Sequence, residues 1–216
     1  MGRGDVSLTN GRVLIVTKSG TALVQDMLLK GVFFRPEHVE NVGYLYKTGV
    51  PHYFLLVSQY DSVPAFIASL SLLKTHLRDR MRYAGVFFHL ATEAISKKDV
   101  REDFPFIAQI SSFSMWEGSG RLKLAHTPDP LQFPDIDLKS ISNRECVSGF
   151  KKYKALSWAF LSDVEVYDNI SAFFADACAT LGIPFSVVCL CLSSIESNIQ
   201  RKGLPALLSR YFSVTV

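Results

Sequence analysis

The side chains in this sequence best suited to chemistry are cationic and aromatic. Lys74, Arg78 and Arg82 stand at every fourth position of Lys74-Thr-His-Leu-Arg-Asp-Arg-Met-Arg-Tyr83. A helix sets them in a row along one flank, clear of the Leu73, Leu77 and Met81 stripe, and such a row can track phosphates. Lys151, Lys152 and Lys154 surround Tyr153, with Trp158 nearby, which joins charge to a ring able to stack on a base. These two clusters predict a non-catalytic protein that binds nucleic acid, single-stranded RNA in particular. The formal net charge is only +3, so any basic surface must be local. An amphipathic helix also needs a solvated face, and arginine commonly supplies it.

Catalytic groups in an α/β protein gather after strands. That position collects Lys18, Ser19, Asp61, Glu93, Ser193, Ser194 and Glu196, with His89 inside a strand. No G-x-S-x-G elbow, H-E-x-x-H pair or paired-carboxylate motif ties them together, and each reads as a cap, a turn residue or a satisfied polar group. No catalytic residue is therefore assigned, and no enzyme is expected. The loop at Gly20 lacks the spacing of a phosphate-binding loop, which makes it a plain connection. His38, His52, His76, His89 and His126 are scattered, and Cys146, Cys178, Cys189 and Cys191 contain no C-x-x-C pair. Neither a metal nor a cofactor follows from such spacing, and the cysteines read as reduced, buried thiols. Two further readings remain open. One is an assembly subunit whose aromatic-rich surface meets a protein partner or a second copy. The other is an enzyme on a phosphorylated small molecule, with strand-end groups such as Asp61 and Glu93 at its centre.

The elements that would carry these groups are of both kinds. From Ser162 to Leu192 the local signals agree: Ser162 and Glu165 form an S-x-x-E capping box, and Val166, Ile170, Phe173, Phe174, Ala177 and Leu181 make one apolar stripe. Gly182 and Pro184 end that helix, and Ile183 to Leu192 follows as a strand apolar on both faces. Upstream, Arg12–Thr17, His52–Ser58 and Ala84–Leu90 read as strands. Helices are expected over Thr21–Lys30, from Pro36 to about Tyr46, and from Val63 past Arg78 with Phe66, Leu70, Leu73, Leu77 and Met81 inside. A short helix starting at Ala91, and an edge strand over Phe104–Ile110 because Pro105 removes a ladder donor, complete the first part.

The Gly- and Pro-rich stretch 118–143 reads as a long loop or linker between lobes 1–117 and 144–216 that share one core. Alternation of helices and strands predicts an α/β, or mixed α+β, layered domain with a mostly buried central sheet. With 48% hydrophobic and 20% charged residues the chain is globular in composition. No apolar run is long enough to span a bilayer, and the N-terminus does not resemble a signal peptide, so a cytoplasmic protein is expected. Leu28-Leu-Lys-Gly-Val32, Pro184-Phe-Ser-Val187, Asn198 and Gly203-Leu204 resemble conserved blocks of tobamovirus-type cell-to-cell movement proteins. That resemblance implies a β-rich, non-enzymatic, single-strand RNA-binding domain at cell junctions. It covers those short blocks alone, and the family's aspartate-bearing strand has no clear counterpart here, so it stands as an alternative.

Overall fold

The structure is a computed structural model that describes residues 12–21, 36–47, 53–78, 86–96, 106–117, 120–126, 128, 141–149 and 166–192. Its described residues form one mixed sheet of ten strands with helices packed on it. At the centre of one half lies β1 (Arg12–Val16), where Val13, Leu14, Ile15 and Val16 are all buried. Consecutive buried side chains require cover on both faces, and a strand paired in parallel on both sides has it. The parallel partners of β1 are β4 (Tyr53–Ser58) and β5 (Val86–Ser96). Outward from β4 come β3 (Gly43–Lys47) and β2 (Glu37–Val39), both antiparallel.

On its other flank β5 meets two strands. Its carboxyl end pairs antiparallel with β9 (Val166–Asp168), and its length pairs in parallel with β10 (Phe185–Leu192). β10 continues to β6 (Phe106–Glu117), then to β8 (Ile141–Gly149), then back to β9, so this half of the sheet closes on itself. β7 (Gly120–Lys123) is attached to β6. Strands on either side of residues 118–143 thus belong to the same sheet. Helix α1 (Val63–Arg78) lies against it through Phe66, Leu70, Leu73 and Leu77. Helix α2 (Ser171–Thr180) brings Phe173, Phe174 and Cys178 to the same core.

The α/β expectation is met, as are β1, β4, α1 and the doubly covered β10. The end of α2 is also as expected: Gly182 has φ +62°, the Ile183 amide donates to the Cys178 carbonyl at 2.8 Å and the Gly182 amide to the Ala179 carbonyl at 3.0 Å, a Schellman ending.

Several elements differ from expectation for physical reasons. The helix expected from Ser162 starts only at Ser171, because Val166 and Tyr167 are buried as strand residues between β5 and β8. Tertiary pairing overrides a local helical pattern there. The capping-box residues Ser162 and Glu165 lie outside the described residues. Instead of a helix after Pro36 there is the β2–β3 hairpin, turned at Asn41 with φ 56°. Gly43 is obligatory on β3, since a Cβ there would meet the Val57 carbonyl oxygen at 2.2 Å. β5 runs on through Ser96 where a helix was expected from Ala91. β6 is no edge strand, because it pairs with β10 and β8, and Pro105 falls before its first paired residue. The helix expected over Thr21–Lys30 lies outside the described residues.

Candidate functional site

β5 outruns β1, whose last pairing with it is Ile15 to His89, so the sheet has a step where one strand stops and its neighbour continues. A cleft of about 280 Å³ opens at this step, at the carboxyl ends of parallel strands where α/β folds place ligands. Thr17 and Ser19 line it from the end of β1, Asp61 from beyond β4, His89 and Ala91 from β5, and Asp168, Asn169 and Ile170 from the turn between β9 and α2.

The first wall is a polar turn. Ser19 donates its amide to Asp61 Oδ1 at 2.7 Å, and the Thr17 and Ser19 hydroxyls lie 3.1 Å apart. Asp61 and Ser19 are exposed, whereas Thr17 is buried.

Facing it is Asp168, buried on the last residue of β9. Its Oδ1 accepts from the Ile170 amide at 3.1 Å, the Ser171 amide at 2.9 Å and the Ser148 hydroxyl at 2.6 Å. Its Oδ2 accepts from the Ser171 hydroxyl, with the Cys189 thiol at 3.9 Å. The Ser148 hydroxyl in turn accepts from the Ala172 amide at 2.9 Å. The first turn of α2 therefore has its free amides satisfied by side chains from β9 and β8, and its positive end favours the carboxylate. A buried carboxylate held by so many donors is fixed in place beside the cleft.

His89 is wholly buried. Its ring packs at 5.6 Å from that of Phe66 and 5.1 Å from that of Phe174, and Nδ1 lies 3.2 Å from the Ile15 carbonyl oxygen. Nδ1 must carry the proton to make that bond, which leaves Nε2 as an acceptor. Burial lowers its pKa to about 4, against the smaller opposing pulls of the Asp168 charge and the Ile15 carbonyl, so the ring is neutral at pH 7.

Beneath the cleft, Cys146 Sγ, Cys189 Sγ and an Asp168 oxygen lie within 4.8 Å of one another. Two sulfurs and a carboxylate are ligands that suit a zinc-like ion. Burial pushes the Cys146 thiol well above its ordinary pKa, reinforced by hydrogen bonding with Cys189 and by the Asp168 charge, so it stands as a neutral thiol. Cys178 is raised by burial alone. Cys146, Cys178 and Cys189 are buried, as expected of core thiols. Beside them Tyr167 donates its hydroxyl to the Gly149 carbonyl at 3.1 Å, and burial, with the Asp168 charge, pushes its pKa up to about 12.

Of the sequence candidates, Ser19, Asp61 and His89 come together in this cleft. Lys18 sits on the 3-10 turn beside it, and Glu93 is on β5. Ser193, Ser194 and Glu196 lie outside the described residues. The residues overlooked are Asp168, Asn169, Ser148 and Ser171. An Asp168-x-x-Ser171 start just ahead of the Phe173-Phe174 run was the available signal, and the stronger capping box at Ser162 hid it.

Of the basic row, Lys74 is half-buried and donates its ammonium to the Leu181 carbonyl at the end of α2. Arg78 is exposed at the last residue of α1. Arg82, Lys151, Lys152, Tyr153 and Lys154 lie outside the described residues.

No known protein family matches the sequence, and no curated protein is similar to it. Solved structures do share the fold. The 5'-methylthioadenosine/S-adenosyl homocysteine nucleosidase of Campylobacter jejuni superposes with a TM-score of 0.62 at 9% identity, over 94% of this chain and 96% of the other. Futalosine hydrolase of Helicobacter pylori gives 0.63 at 11% identity over 94% and 96%. The S-adenosylhomocysteine nucleosidase of Streptococcus pyogenes, solved with 5-methylthiotubericidin, gives 0.61 at 14% identity over 87% and 86%. This fold is shared with proteins named as nucleosidases and a futalosine hydrolase. It overturns the expectation of a non-catalytic RNA-binding protein, the movement-protein alternative and the expectation that the chain is no enzyme. Of the movement-type blocks, Pro184–Val187 leads into β10, and the remaining blocks lie outside the described residues.

Proposed function

We propose that the protein is a hydrolase that cleaves the N-glycosidic bond of a nucleoside in the cleft between Thr17, Asp61, His89 and Asp168. The observation that carries this reading is the fixed Asp168 carboxylate at the strand-end cleft of a nucleosidase fold. Breaking a sugar–base bond develops positive charge on the sugar ring, and preorganised negative charge stabilises that state most. The cleft's described lining contains two carboxylates, Asp61 and Asp168, and no lysine or arginine. A neutral nucleoside suits such a lining better than a phosphorylated molecule does.

In the reaction the bond between the sugar's anomeric carbon and the base nitrogen breaks, and the base leaves with the electron pair. A water oxygen bonds to the same carbon, and Asp61, exposed at the mouth, takes the water's proton and passes it to solvent. The departing base takes up a proton from solvent. Asp168 stays in place as the charge facing the sugar.

The test is incubation of the purified protein with 5'-methylthioadenosine, S-adenosylhomocysteine, futalosine, adenosine and inosine, with free base measured by chromatography. Base release from at least one substrate is expected, and Asp168→Asn should lower kcat/KM by about 10²- to 10³-fold. No base from any of them, with enzyme near substrate concentration, would defeat the reading.

A further inference from the structure

We infer that His89 is a specificity residue whose Nε2 accepts a hydrogen bond from a sugar hydroxyl of the bound nucleoside. This deepens the hydrolase reading and rests on it for the kind of ligand. Nε2 is buried and has no hydrogen-bond partner among the described residues, and His89 is one of the residues that line the cleft, with Ala91 and Asp168. A buried acceptor shut off from both protein and bulk water is costly to leave unmatched, and such a group in a native fold calls for a partner.

The ring cannot readily turn to find one elsewhere. Its Nδ1 faces the Ile15 carbonyl at 3.2 Å, and the Phe66 and Phe174 rings hold it between α1 and α2. At neutral pH the ring is uncharged, so Nε2 can only accept and will select a donor. Its neighbours point to the same ligand chemistry. The Asp61 carboxylate lines the same cleft and is an acceptor as well. A ribose supplies hydroxyl donors to match, and a deoxyribose lacks one of them.

The experiment measures dissociation constants of adenosine, 2'-deoxyadenosine and 3'-deoxyadenosine by calorimetry for the wild type, His89→Phe and His89→Gln. In the wild type, one deoxy analogue should bind about 10²-fold or more weakly than adenosine, because a site built around a hydroxyl rejects a ligand lacking it. In His89→Phe that preference should shrink to about threefold, and His89→Gln, which keeps an acceptor, should recover part of it. The nitrogen-15 resonance of Nε2 in the unmutated protein supplies a readout that does not depend on variants folding. It should move upfield on saturation with adenosine and stay put with the rejected analogue. Equal preference in wild type and His89→Phe, or an unmoved Nε2 resonance, overturns the role of His89 and leaves the hydrolase reading intact. Hydroxyl-dependent binding through His89 without base release would instead sink the hydrolase reading alone. Failure of every nucleoside to bind overturns both.

Discussion

Helices α1 and α2 cover the same face of the sheet but are placed on it by different means. α1 is amphipathic: its buried Phe66, Leu70, Leu73 and Leu77 recur with the helical repeat, while Leu72 and Arg78 are exposed. α2 has no comparable outer face at its start, because Ser171, Ala172, Phe173, Phe174 and Ala175 are all buried in succession. A first turn buried on all sides cannot leave its amides to water. Asp168 and Ser148, on two other strands, take that role, and Asp168 is also a wall of the cleft. An amphipathic helix declares its inner face in its own residues. A helix inserted end-on is positioned by groups that the ligand site also uses.

The largest test of this contrast is Phe174→Ala. Phe174 is fully buried against Phe66, Phe185 and the His89 ring, so its truncation should cost about 3 to 5 kcal/mol in urea unfolding. Leu72→Ala, on the exposed side of α1, should change stability by less than about 0.5 kcal/mol. Equal effects would erase the distinction between the two helices.

Next in size is a pH effect at the seam between them. His89 has its folded pKa lowered to about 4 from the ordinary 6.5, so between these values the unfolded chain binds more protons than the native one. Stability contributed by the neutral ring is therefore complete above pH 6.5 and falls as the pH drops towards 4. The loss by pH 4 should be about 3 kcal/mol, and His89→Phe should lack that component. Urea melts of both proteins between pH 7.5 and 4 measure it, and parallel curves would mean the ring is not buried neutral.

Asp168→Ala should cost about 2 to 3 kcal/mol, since it strands the Ile170 and Ser171 amides together with two hydroxyls. Ser148→Ala strands mainly the Ala172 amide and should cost about 1 to 2 kcal/mol. Thermal melts should keep that order. A Ser148→Ala variant as impaired as Asp168→Ala would show that the serine, not the carboxylate, is the principal anchor of α2. The smallest change expected is from Lys74→Met, which removes the tie from α1 to the Leu181 carbonyl for about 1 kcal/mol while keeping the apolar stem. If that variant matched the wild type in urea, the α1–α2 contact would rest on apolar packing alone.

Much of the framework was determined by local sequence. Short apolar runs made β1, β4 and β10, helical periodicity made α1, and Gly182 with Pro184 closed α2, because these features depend on neighbours a few residues apart. Where local and distant forces competed, the distant ones prevailed. Val166 and Tyr167 continue a helical stripe in sequence yet join a sheet, since β5 and β8 offer them paired backbones and full burial. The cleft belongs wholly to this second kind of information. Ser19, Asp61, His89 and Asp168 share no motif, and the parallel pairings of β1 with β4 and β5, together with the β5–β9 contact, bring them together. The sequence alone could name Asp61 as a polar group after a strand and His89 as one inside a strand. Only the tertiary structure could decide that His89 is neutral and Asp168 fixed, because burial and hydrogen bonds from distant strands set both properties.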